Sequence, residues 1–176
     1  MADTMVLEDL ARSLAEQARA YLSGEMGTTV SGWRKPVIPE DALTLDTLTV
    51  TAGIGDASGP IAAFVFSSKL AEHLFRRTLS MMNLSASSMA PIEQEIYRQG
   101  TLVEAANVII GHWLPNYPAK GGSTAMTPPV LLDRARQIRG ISHSHCALID
   151  VGTERGELRI ALIRPRSLVE QEVKAA

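Results

Sequence analysis

The sequence predicts an α+β domain built in layers, with a mostly antiparallel sheet packed against long helices. Its segments read in the order helix, two strands, two helices, three strands, and the strands come in hairpins rather than in alternating βαβ units. Hydrophobic residues make up 45% and charged residues 20% of 176, the balance of a chain that folds around a core. That length suits one compact domain, so a single domain over 1–176 is expected.

The first helix is expected over about 6–22. Val6, Leu10, Leu14, Ala18 and Tyr21 recur at helical spacing, Asp3 or Thr4 can cap the start, and Gly24 ends it. Its apolar stripe predicts docking on the core. Gly24, Gly27, Gly32, Pro36 and Pro39 then read as a loop, with Trp33 packed on the fold. Leu43 to Ile54 alternates and is rich in Thr, Val and Leu. Gly55 to Gly59 supplies turn chemistry, and Pro60 to Ser67 reads as the returning strand.

Ser67 or Ser68 caps a second helix that runs to about Met82, with Leu70, Leu74 and Phe75 inward and Met81 and Met82 as core filler. After the Ser- and Ala-rich linker 85–90, Pro91 suits a first helical turn, and Glu93 and Glu95 complement the helix N-terminus. That third helix should run to Trp113, with Pro115 beyond its end. Strands are expected over Ser123–Leu132, His143–Val151 and Glu157–Arg164, separated by a basic connector from Arg134 to Ile141. The last two should form a hairpin around Thr153–Gly156.

A formal net charge of -2 gives no bulk attraction to nucleic acid or to an anionic membrane. The single cysteine, Cys146, rules out an internal disulfide. The first residues lack a basic start followed by an apolar run, and no stretch approaches the roughly 18 apolar residues of a spanning helix. A cytoplasmic location is the resulting expectation.

The third helix carries two different stripes. Leu102, Ala106, Ile109, Ile110 and Trp113 form a core stripe. Gly100, Glu104, Asn107 and Gly111 form another, with one carboxylate and one carboxamide between two residues that have no side chain. Glycine inside a helix costs up to about 1 kcal/mol relative to alanine, so close approach of another surface is one reason to place it there. Glu104 and Asn107, at i and i+3, project toward one spot. A solvated polar face with a helix-packing glycine accounts for the same residues. Burial of Glu104 and Asn107 under this chain's own side chains would mark a purely structural stripe.

The run from Thr101 to Gly111, with Glu104-x-x-Asn107 inside it, resembles the signature of the CheX/CheC/FliY chemotaxis phosphatases. That family carries Glu-x-x-Asn on a long helix, followed by apolar residues, a small residue, and a proline some twenty residues on. Pro128 and Pro129 lie in that region here, and the resemblance covers about 43–164. The single motif is closer to CheX than to CheC. Four residues before the Glu the family often has Asp or Ser, and this chain has Gly100.

The resemblance implies a CheX/CheC-like fold and a phosphatase that acts on the aspartyl phosphate of a CheY-like receiver. Asn107 would orient the attacking water, and Glu104 would pair with a receiver lysine. Gly100, Thr101, Gly111, Pro128 and Pro129 would belong to the docking surface. Mg²⁺ would sit on the receiver, with no cofactor of the chain's own, and a homodimer is a further expectation. A non-catalytic module that binds a receiver or a flagellar or signalling partner is the alternative.

Two other motifs weigh less. His143 and His145 share one strand face while Cys146 points to the other, so a zinc site would need His112 or His73 brought in from elsewhere. Lys120-Gly121-Gly122-Ser123-Thr124 has the wrong residue order for a phosphate loop and follows a helix rather than a strand. Cys146 in an apolar strand suits an inert thiol better than a nucleophile.

Overall fold

The computed structural model describes residues 2–36, 48–55, 59–117, 125–132 and 144–165. Three helices, α1 (Ala2–Gly24), α2 (Ser68–Met81) and α3 (Pro91–Trp113), accompany six strands: β1 (Val30–Arg34), β2 (Thr49–Gly53), β3 (Ile61–Phe66), β4 (Val130–Leu132), β5 (Ser144–Thr153) and β6 (Gly156–Pro165). The strands form one sheet in the order β1-β5-β6-β3-β2-β4, and every neighbouring pair is antiparallel. The α+β class with helices against an antiparallel sheet is therefore as the sequence predicts.

Strand periodicity divides the sheet residues between two faces. Val50, Ala52, Ala62, Phe64, Phe66, Ala147, Ile149, Val151, Leu158, Ile160 and Leu162 share one buried cluster with all three helices. Ala63, Leu148, Ala161 and Ile163 form a smaller cluster on the opposite face, with Cys146 packed against it. On that second face Asp150, 1% exposed, stands directly across from Arg159 and accepts two bonds from its guanidinium at 2.7 and 3.0 Å. The bonds to Asp150 are the main reason the Arg159 pKa is raised.

Local chemistry explains the helix ends. Ser67 caps α2: its Oγ accepts from Leu70 N at 3.4 Å and from Glu157 N at 2.9 Å. Gly156 must be glycine beside that cap, since its φ is +122° and an added Cβ would sit 2.2 Å from Ser67 Oγ. At the other end of α2, Asn83 adopts φ 56°. Asn83 N donates to Ser80 O and Leu84 N to Leu79 O, a Schellman closure with asparagine in the left-handed position. Helix α3 begins at Pro91, and the Glu93 carboxylate accepts from Ala90 N at 2.8 Å.

Several expectations change. The segment read as a loop contains β1, an edge strand whose pairing partner β5 lies far along the chain. Met81 and Met82 are not core filler, being 57% and 51% exposed. Helix α1 is longer than about 6–22 at both ends. Only the end of the strand expected over Ser123–Leu132 is described as strand, together with an isolated bridge at Met126. The Lys120–Thr124 run, the connector 134–141, His143, Pro39 and the stretch 43–47 lie outside the described residues. No helix among the described residues is long and apolar enough to cross a membrane.

Candidate functional site

Helix α3 rests on α1, α2, β2 and β4. The core stripe is buried as its spacing predicts: Leu102, Ala106, Ile109, Ile110 and Trp113 are all 0% exposed. This fixes the rotation of the helix about its axis. The opposite stripe must then face outward, and Gly100, Glu104 and Gly111 are exposed while Asn107 is half-buried. Asn107 Nδ2 donates to Glu104 Oε2 at 3.4 Å, a long and weak bond. The two polar ends therefore meet on one spot of the helix surface.

A Cβ built on either glycine meets no described residue within 4 Å beyond the glycine's own stretch of helix. Neither glycine is there to admit a described helix or strand of its own fold. Among the described residues no neighbour of the fold accounts for either glycine, and the helical cost of the two is not offset by packing there.

Glu104 also lines a cleft of about 310 Å³ with Thr78, Ile96, Tyr97, Gly100 and Thr101. Thr101 itself is buried, and its hydroxyl donates back to Tyr97 O at 2.8 Å, so it floors the cleft rather than projecting from it. Below the site, from α1, comes Tyr21, 3% exposed. Burial, with the Glu25 and Glu104 carboxylates as smaller causes, pushes its phenol well above the usual tyrosine range. Tyr21 therefore stays neutral near the Glu104 carboxylate. Its helical spacing marks it only as core, and nothing local in the sequence points to Glu104 as its neighbour.

Pro128 and Pro129 lie in the extended segment that leads into β4, and they do not line the cleft at Glu104. His73 shares a 3.2 Å hydrogen bond with Met26 O, and His145 pairs across the hairpin with Arg164. Among the described residues no three of His, Cys, Asp and Glu come together as metal ligands would.

No family profile matches the sequence, and no curated protein matches it closely enough to align. Solved structures do match in shape. The chemotaxis protein CheX of Desulfovibrio desulfuricans superposes with a TM-score of 0.62 at 15% identity, over 89% of this chain and 99% of that one. A CheC-like protein of Shewanella sp. PV-4 gives 0.59 at 13% identity, over 88% and 96%. CheX in the CheX–CheY–BeF₃–Mg²⁺ complex of Borrelia burgdorferi gives 0.62 at 15% identity, over 90% and 99%. An antiparallel sheet with its long helices on one face defines the class of fold. Within that class the chain has the CheX/CheC-like fold, and the likeness extends over most of its length.

Proposed function

We propose that this chain docks on a phosphorylated CheY-like receiver domain in bacterial chemotaxis or two-component signalling, and that it hastens loss of the aspartyl phosphate. The reading rests above all on the outward-facing Glu104–Asn107 pair, set between two glycines that have open space above them. A CheX–CheY complex among the structural neighbours supports the same choice of partner.

The bond to be broken is an acyl phosphate. Water attacks phosphorus, the P–O bond to the aspartyl carboxyl breaks, and carboxylate and inorganic phosphate leave. The bond is already reactive, so positioning and charge stabilisation suffice. The Asn107 amide can donate and accept at once, which suits it to hold the water in line. Glu104 answers a lysine of the receiver and sets the register of docking. Mg²⁺ belongs to the receiver in this scheme, and the encounter takes place in the cytoplasm.

The test mixes the chain with phosphorylated receivers of its own organism and follows loss of the phosphoryl group. Asn107→Ala should lower the acceleration by about 100-fold, equivalent to about 2.7 kcal/mol, with the fold intact. Glu104→Lys should weaken binding. Full activity of Asn107→Ala would sink the mechanism. Binding without acceleration would favour a non-catalytic docking module, the reading that Gly100 keeps open where relatives often carry Asp or Ser.

A further inference from the structure

Among the described residues, six of the ten large apolar side chains that are exposed fall in a short stretch: Met81, Met82, Leu84, Ile92, Ile96 and Tyr97. Ile92 and Ile96 are the most exposed of these, at 68% and 61%. Single exposed apolar residues need no explanation, but a concentration of them does.

Their placement is ordered. Thr78 of α2 and Ile96 of α3 line the same cleft. Four residues toward the link between α2 and α3 lead from Thr78 to Met82, the residue that caps α2, and from Ile96 to Ile92, one further turn along the same side. Along α3 the exposed side continues without a break through Ile92, Ile96, Gly100, Glu104, Asn107 and Gly111, at spacings of 4, 4, 4, 3 and 4. The helix therefore presents one outward stripe with an apolar half and a polar half, and the cleft holds residues of both.

We infer that the apolar half, Met82, Ile92, Ile96 and Tyr97, is the affinity-bearing part of the same docking surface, and that it receives an aliphatic or aromatic side chain of the receiver. This rests on the function proposed above. At 1.5 Å per residue Ile96 lies about 12 Å from Glu104 along the helix, and Ile92 about 18 Å. A standard interface covers roughly 800 Å² per partner, a disc of about 16 Å radius. A disc of that size centred near Gly100 covers Asn107, about 10 Å away along the helix, and also Ile96, Tyr97 and Ile92, the last about 12 Å away in the other direction. Its matching face carries an apolar knob about 12 Å from the cation that answers Glu104. A second copy of this chain fits less well, because the stripe offers Glu104 no lysine or arginine of its own. Methionine at the margin suits a surface that must adapt to a partner.

The experiment measures binding of beryllofluoride- and Mg²⁺-loaded receivers of the same organism to the full chain, at 50 and 500 mM salt, beside sedimentation of the chain alone. Ile96→Glu should weaken binding at least about 10-fold, and what remains should be more salt-sensitive than wild type. Its 61% exposure keeps the substitution out of the core, and unchanged thermal unfolding checks this. If Glu104→Lys weakens binding while Ile96→Glu and Ile92→Glu do not, the apolar assignment is wrong and the function stands. If no receiver binds the wild-type chain, the function falls and this inference with it. Dissociation of a wild-type dimer by Ile96→Glu, with receiver binding unaltered, would give the patch to a second copy and overturn the inference.

Discussion

Two faces of one helix obey opposite rules in this protein. The inner face of α3 is filled to 0% exposure at Leu102, Ala106, Ile109, Ile110 and Trp113, every one in contact with the chain's own core. The outer face holds two glycines with nothing above them and a polar pair that meets chiefly itself. Burial by the fold explains the first face completely. The second is not filled by any of the described residues, and the proposed docking of a receiver gives its composition a reason.

The contrast can be tested by substitutions that separate stability from binding. The largest effect is expected on the inner face. Trp113→Ala should cost about 3–5 kcal/mol in denaturant unfolding, since it empties a fully buried site. A loss below about 1 kcal/mol would show that the inner face is far less essential than its burial indicates. Next comes Asn107→Ala, which should remove about two orders of magnitude of receiver dephosphorylation while leaving the unfolding midpoint in place.

Gly100→Ala is the sharper probe. With open space at its Cβ, alanine should stabilise the helix by up to about 1 kcal/mol and yet weaken receiver docking. Stabilisation without any change in docking would return Gly100 to the status of an unremarked helix position. The smallest effect concerns Tyr21. Its raised pKa means that the stability it contributes is complete below the unfolded tyrosine value and fades as pH rises beyond it. Phenolate absorbance should show one tyrosine titrating later than the others while the chain stays folded. Glu104→Gln should bring that titration slightly earlier, because one neighbouring carboxylate is gone.

The parts of the fold that were legible are those governed by local rules. Helix α3 runs from Pro91 to Trp113 as its caps and stripe predict, and the β5–β6 hairpin turns where Thr153–Gly156 predicts. The acid–amide pair was legible for the same reason, because i and i+3 on a helix need no tertiary information. Strand β1 was not legible. Gly32 and the exposed Ser31 and Trp33 show no alternation, and the strand exists because of pairing with β5 more than a hundred residues away. Met81 and Met82 depart from the core because apolar character identifies core residues only when a neighbour is there to cover them. The relation of Tyr21 to Glu104 depends on how α1 and α3 pack, which no periodicity records.

The features that hid β1 in the sequence also shape what this end of the sheet can do. An uncovered strand edge is a template on which other chains can grow. Here it is interrupted by a register shift between Val30 and Gly32. It is also tethered to α1 through Trp33 Nε1 to Glu16 at 2.8 Å, Lys35 Nζ to Glu8 at 2.6 Å, and Arg12 over the Trp33 ring. The hydrogen bond from Trp33 holds the Glu16 carboxyl below its usual range, so this fastening persists at neutral pH and loosens in acid. Kinked and fringed with charge, β1 makes a poor seed for fibrils at neutral pH, and acid is the condition under which that protection should first weaken.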